Sequence, residues 1–350
     1  MAKTKPKHTF QDIARAAGVS PATVSRLVSR RARVSPAIEK RVRDAAEKLG
    51  VALEKRAGAR LIAFLLGNRS LLHPFHSQVL LAAEEHCSRN GYNLLLFPFH
   101  YGADVAWRDL HLPRLLERGD LVDGFIVNGI NFENLLVHLQ HAGVPFSVYG
   151  DLVQGAWRPE SYDVVWVDDI SGAYDLTRYL HSLGHTQIWY VANTGLTWFA
   201  RREEGYTRAM REVGLEPHTE SLDAADEQEL GFLATKQILR RGSPVQAIFG
   251  GSDAVCHGIY MALWEAGLAI PGDVSVAGFN DTIEASILHP TLTTVRAFPD
   301  LLGRLLAEQL LTRILRPQGA CQMREIPTRV IRRESTRPAG AQPAAPASPA

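Results

Sequence analysis

A chain of 350 residues is too long for one ordinary domain and predicts two or three compact units. Its 46% hydrophobic and 21% charged residues are those of a globular protein and exclude general disorder. No apolar run approaches the roughly 18 residues of a membrane span, and Cys87, Cys256 and Cys321 are too scattered for a disulfide framework or a CxxC zinc site. The opening MAKTKPKHTF lacks the apolar core of a secretory signal, so the cytoplasm is the expected compartment and no membrane partner is expected. The net charge of +1 hides an asymmetry. Residues 1–60 carry 15 Lys and Arg against 5 Asp and Glu, leaving 23 against 32 for the rest. A basic head on an acidic body predicts a polyanion partner for the head, because neutralised phosphates release counterions.

After a basic arm over 1–8, three short helical patterns follow within 9–50. Thr9 caps the first, with Asp12 three residues on, and Gly18 stops it. Ser20 caps the second, with Pro21 at its first position, and Ser35-Pro36 repeats that start for the third. Phe10, Ile13, Ala17, Val19, Val24, Leu27, Val34, Ile38, Val42, Ala45 and Leu49 fall at helical spacing and give the three helices one core. The tight A-A-G-V-S turn predicts a helix-turn-helix unit, whose second helix enters the major groove N-terminus first. On that helix Arg26 can bond a guanine edge bidentately, while the hydroxyls of Thr23 and Ser25 suit phosphates.

The run T-F-Q-D-I-A-R-A-A-G-V-S-P-A-T-V-S-R at 9–26, followed by V-S-P-A-I-E-K-R-V at 34–42, resembles the head of the lactose/galactose-repressor family. That resemblance implies operator reading by Pro21, Ala22 and Arg26, supported by Thr9, Ser20, Thr23, Ser25 and Ser29; the family usually has Asn at the Ser29 position. Its relatives continue into Y-x-P-N-x-x-A-R-x-L, a hinge helix whose leucine wedges a minor-groove step. Here 51–60 reads V-A-L-E-K-R-A-G-A-R, shorter and without that pattern, so an atypical hinge is expected.

From 61 the chain alternates short apolar runs with amphipathic helices. Strands are predicted over 61–66, 92–97, 124–128, 146–149, at Trp166, and over 187–191, 247–249 and 274–278; helices such as 77–90 and 173–183 end at Gly91 and Gly184. Regular βαβ alternation predicts parallel sheets, and about ten strands exceed one comfortable sheet. The expected body is therefore two α/β lobes with a cleft between them, where such folds bind ligands.

The family resemblance runs through this body. It rests on V-D-D-I-S-G-A at 167–173, L-G-H-T-Q-I at 183–188, R-E-E-G-Y at 202–206, G-F-N-D at 278–281 and P-T-L-T-T-V at 290–295. It implies a periplasmic-binding-protein-like body over 61–333, with lobe one near 61–165 and 292–322 and lobe two near 166–290 and 323–333. By the same resemblance Arg202, Asn280, Asn128 and Phe75 face an effector, most simply a sugar, and Asp151 and Asp253 are further candidates. On the residues alone, Phe75 and Trp198 also suit a core, and Asp151, Asp169, Asp253 and Asp281 also suit helix caps.

The expected partners are a palindromic double-stranded operator, a small-molecule effector and a second copy of the chain. The thirteen histidines show no HExxH spacing, so neither metal nor cofactor is expected. A binding protein of the periplasmic type is the alternative function. An enzyme lacks support, since GxSxG, GxxxxGK(S/T) and a helix-opening GxGxxG are missing. No leucine heptads point to a coiled-coil tetramer, and the Pro/Ala-rich 334–350 reads as disordered.

Overall fold

The computed structural model describes residues 10–29, 35–49, 60–69, 73–117 and 121–340. The hinge segment 51–59, Thr9, Val34 and the last ten residues lie outside the described residues. The head consists of α1 (Phe10–Ala17), α2 (Pro21–Ser29) and α3 (Pro36–Lys48). Ile13, Ala17, Val24, Val42 and Ala45, expected to share a core from their helical spacing, form its buried centre together with Ala14 and Ala46, which that spacing did not single out.

The body begins with β1 (Leu61–Gly67), α4 (Pro74–Arg89), β2 (Asn93–Phe99), α5 (Arg114–Glu117), β3 (Gly124–Gly129), β4 (Asn131–Phe132) and α6 (Glu133–His141). It continues through β5 (Phe146–Tyr149), β6 (Val153–Gln154), β7 (Val164–Val167), α7 (Asp169–Ser182), β8 (Ile188–Ala192), α8 (Thr197–Glu212) and β9 (His218–Ser221). The remainder is α9 (Glu227–Arg240), β10 (Ala247–Gly250), α10 (Asp253–Glu265), β11 (Ser275–Asn280), α11 (Ile283–Ile287), β12 (Thr293–Arg296), α12 (Pro299–Leu315), β13 (Met323–Ile326) and β14 (Arg329–Ile331).

Two six-stranded sheets result, in the orders β13-β7-β5-β3-β1-β2 and β14-β12-β11-β10-β8-β9. All pairings within them are parallel except β12 with β14. The inner strands are buried on both faces, as β3 and β11 show along their whole length, which is why they read as continuous apolar runs.

The lobe boundaries differ from the expected ones. β12 pairs with β11, so P-T-L-T-T-V stays in lobe two and the chain crosses into lobe one only before α12. β13 pairs with β7 in lobe one, and the chain then returns to lobe two at β14. Both are short strands at or near a sheet edge, too brief to carry a period of their own.

The tail is also corrected. Residues 334–340 are not loose, because Ser275 and Val276 extend beyond the end of β12 and need other partners. The Val276 N–H donates to the Ser335 carbonyl at 2.9 Å, Ser335 Oγ donates to the Val276 carbonyl at 2.6 Å, and Ala339 N–H donates to the Leu183 carbonyl at 2.7 Å. Ser335 is fully buried.

Candidate functional site

The head presents the N-terminal turn of α2. Gly18 adopts a positive φ of 61°, which turns the chain sharply after α1 at no steric cost. Arg41 on α3 then clamps the turn, its Nη2 donating to the carbonyls of Ala17 at 2.6 Å and Gly18 at 3.2 Å. Ser20 Oγ accepts the Thr23 N–H at 3.1 Å and so caps α2. Val24 is buried while Ser20, Pro21 and Ala22 are exposed, so the positions expected to meet DNA at the start of α2 face solvent. Ser25, Arg26 and Ser29 lie further along the same helix.

The body's candidate site is a buried polar constellation between the lobes, centred on Arg202. R-E-E-G-Y places Arg202 on the inner face of α8, 3% exposed. Its Nε donates to Asp169 Oδ1 at 2.9 Å, Nη1 to the Gly251 carbonyl at 2.6 Å and Nη2 to Asn280 Oδ1 at 3.2 Å. Its guanidinium lies 3.8 Å from the centre of the Phe279 ring. Asn280 and Asp281 both have positive φ, 112° and 56°, at the carboxyl end of β11, a strained backbone of the kind that gathers at binding sites.

Lobe one supplies the facing wall. Phe75 is buried with its ring centre 6.0 Å from that of Tyr149 and 5.7 Å from His76. Asn128 Oδ1 accepts the Gly129 N–H at 2.6 Å, whereas its Nδ2 has no partner. Asp151 Oδ2 accepts the Val167 N–H at 2.7 Å, and its Oδ1 stands 3.3 Å from Arg201 Nε without forming a hydrogen bond. Burial, and then the charge of Asp169, push the Asp151 carboxyl well above the ordinary range. Burial raises Asp169 too, against the pull of Arg202. Burial, His73 and Arg69 hold His76 well below the usual imidazole value, so it is neutral.

Across the cleft mouth, Glu227 of lobe two accepts from Arg69 Nη2 at 2.8 Å and from Ser252 Oγ at 2.6 Å, and its Oε2 lies 3.5 Å from His73 Nε2. Burial would raise this carboxyl, but His73, Arg69 and Ser252 hold it well below the ordinary range.

Most of the buried side-chain nitrogen and oxygen atoms lacking a hydrogen-bond partner among the described residues converge here. They are on Arg69, His73, His76, Asn128, Asp151, Asp169 and Arg201. Buried polar groups are ordinarily satisfied, so this concentration makes the constellation the body's candidate ligand site.

Of the expected effector residues, Arg202 and Asn280 meet directly, while Phe75, Asn128 and Asp151 form the opposing wall. Asp253 instead serves lobe two internally, accepting from Thr282 N–H at 2.7 Å, Thr282 Oγ1 at 2.9 Å and Thr294 Oγ1 at 2.5 Å. Arg69, Tyr149, Arg201 and Glu227 were not singled out by sequence, and no local motif marks them. Among the described residues no cluster of three or more His, Cys, Asp or Glu is placed to hold a metal, and no helix is long and apolar enough to cross a membrane.

Comparison with known proteins agrees with both parts. Residues 9–51 match the model described as "Bacterial regulatory proteins, lacI family", and 177–336 match a "Periplasmic binding protein-like domain". The ribose operon repressor of Escherichia coli (strain K12) is 31% identical over 321 residues, covering 88% of this chain and 94% of its own. The chain belongs to the LacI family.

Another relative within the LacI family, the HTH-type transcriptional repressor PurR of Serratia proteamaculans (strain 568), is 29% identical over 340 residues, 93% of this chain and 96% of its own. Among solved structures, a transcriptional regulator CelR–cellobiose complex has a TM-score of 0.69 at 26% identity, covering 94% of this chain and 100% of that one. The lac repressor dimer bound to operator and the anti-inducer ONPF shares the fold, with a TM-score of 0.67 at 23% identity over 95% of this chain and 100% of that one. As a LacI-family member the chain is a DNA-binding transcriptional regulator, its head carrying the helix-turn-helix and its two-lobed body answering to a small-molecule effector.

Proposed function

We propose that this chain is a cytoplasmic, homodimeric repressor whose hold on a palindromic operator is set by a sugar bound between the lobes, around Arg202, Asp151, Asn128 and Asn280. The convergence of unpaired buried donors and acceptors from both lobes carries this reading. A sugar hydroxyl donates and accepts at once and so satisfies such a mixture of donors and acceptors. Related proteins are solved with ribose or cellobiose bound, which favours the same ligand class here. In the head, Ser20, Pro21 and Ala22 at the start of α2, with Thr23, Ser25, Arg26 and Ser29 along it and Thr9 before α1, are the proposed DNA contacts. Leu81 on α4, Met261 and Trp264 on α10, and Ile283 and Ile287 on α11 are exposed apolar residues that a second copy would cover.

The test combines gel shift with thermal melting of the intact chain against a sugar panel. A bound effector raises the melting temperature by mass action. Arg202→Ala is expected to abolish that rise while salt-sensitive DNA binding persists. It also leaves Asp169 buried without its partner, so a stability loss of about 3–5 kcal/mol is expected. An undiminished sugar-induced shift in this variant would count against the site, and absence of salt-dependent DNA binding would sink the regulator reading.

A further inference from the structure

A pocket of about 320 Å³ opens beside the Arg202 constellation, at the small end of the range for small-molecule sites. Lobe one contributes Asp151, Trp157 and Trp166 to it, and α8 of lobe two contributes Thr197, Arg201 and Glu204. The rings of Trp157 and Trp166 have centres 5.5 Å apart and are inclined at 37°, forming a bent aromatic wall. The Arg201 guanidinium lies 5.5 Å from the centre of the Trp166 ring. A Cβ on Gly150 would press into that same ring, so glycine there lets Trp166 lie against the backbone.

Two polar atoms beside this pocket meet as an ion pair without a hydrogen bond. Asp151 is 1% exposed, and its Oδ1 accepts no hydrogen bond; Arg201 Nε, only 3.3 Å away, donates none. One hydroxyl lying to the side of the pair, within reach of both, donates to the Asp151 carboxyl oxygen and accepts from the guanidinium. The aromatic wall suits the apolar C–H face of a sugar ring, and Glu204 offers a further acceptor for hydroxyls at the exposed rim. Glu204 brings negative charge to the exposed rim, so the pocket disfavours a phosphorylated ring. Asp151 belongs to this pocket and to the central site alike, so the two adjoin.

We propose that this pocket is a second sugar subsite and that the effector is a neutral disaccharide, one ring beside Arg202 and the other against Trp157 and Trp166. The proposal rests on the sugar-effector reading above. It is tested by calorimetric titration of the full chain with paired sugars: glucose with cellobiose and maltose, galactose with lactose and melibiose, xylose with xylobiose. At least one disaccharide is expected to bind about tenfold or more tighter than either of its component monosaccharides, with a change in tryptophan emission.

Trp157→Ala and Glu204→Ala should each reduce disaccharide affinity toward the monosaccharide level while leaving monosaccharide and DNA affinity as they were. Trp157→Phe should restore most of the difference. If Trp157→Ala fails to fold, Glu204→Ala carries the test, since Glu204 is exposed on α8. Equal affinity for a binding monosaccharide and its disaccharides, or parallel weakening of both by the variants, overturns the second subsite and leaves the sugar-effector reading standing. No binding by any sugar in the panel overturns both.

Discussion

One carboxylate of Asp253 gathers three donors, two from Thr282 and one from Thr294, and thereby ties the start of α10 to β12 and to the loop after β11. Burial lifts this carboxyl to about 7 in spite of those donors, whereas in the unfolded chain it ionises near 3.9 as an ordinary aspartate does. The sign follows from proton uptake. Between about pH 4 and 7 the folded state holds a proton that the unfolded chain releases, so this group's contribution to stability falls as pH rises. Above about pH 7 it levels off, with an upper limit on the order of 4 kcal/mol. Asp253→Asn does not titrate, so wild-type stability relative to the variant should decline between pH 4 and 7 and then flatten. Denaturant melts at a series of pH values measure this, and a pH-independent difference would refute it. Asp253 also marks the limit of sequence at this scale. An acid at a strand–helix junction looks the same whether it faces a ligand or a neighbouring strand. Arg202 and Asn280 were legible because each sits in a multi-residue pattern. Glu227 and Arg201 were not, since Glu227 finds Arg69 across 158 positions and Arg201 is one more arginine on a polar helix.

Helix pairs in this fold touch backbone to backbone, and glycines make that possible. A Cβ on Gly258 of α10 would strike the Gln228 carbonyl of α9, and one on Gly231 of α9 would strike the Val255 carbonyl of α10. Gly205 of α8 likewise meets the Ile170 carbonyl of α7, and Gly303 of α12 meets the Val79 carbonyl of α4. Substituting alanine for glycine in an exposed helix stabilises it by about 0.5–1 kcal/mol. Here the opposite sign is expected, because the added methyl must push two helices apart in a packed core, at about 1–3 kcal/mol. Gly258→Ala should therefore lower the melting temperature by several degrees, and an unchanged or raised value would show that the α9–α10 crossing can yield. None of these glycines stands at a turn, and apart from Gly205, which falls in the R-E-E-G-Y motif, no sequence pattern marks them. Strong apolar runs such as β1, β3 and β11 were legible from their continuous burial. β9, β12, β13 and β14 were not read as strands, because three or four residues at or near a sheet edge show neither run nor alternation.

At the scale of the whole molecule, two α/β lobes joined by three chain crossings close over the buried polar constellation around Arg202, and a few contacts between lobes hold them together. Glu227 is the main one at the mouth, holding Arg69 at 2.8 Å while Ser252 of its own lobe donates at 2.6 Å. The Arg69 guanidinium also lies 4.8 Å from the centre of the Trp198 ring of lobe two. A second contact joins Gln154 Nε2 to Thr197 Oγ1 at 2.6 Å, and Thr197 Oγ1 in turn donates to the Asp151 carbonyl at 2.6 Å. Because the Glu227 carboxyl is held well below its ordinary value, it stays ionised through the neutral range. Its contribution to closure is present above the ordinary glutamate value near 4.3 and is lost only as pH falls through the lower, folded value. Glu227→Gln keeps the shape and a hydrogen bond to Ser252 but removes the charge that Arg69 and His73 face. The variant should sample more open lobes, with a larger radius of gyration by solution scattering at neutral pH and several-fold weaker effector binding. Its head, which shares no side chain with this latch, should bind DNA as before. Scattering and effector affinity indistinguishable from wild type would show that closure rests on Thr197 and the chain crossings instead.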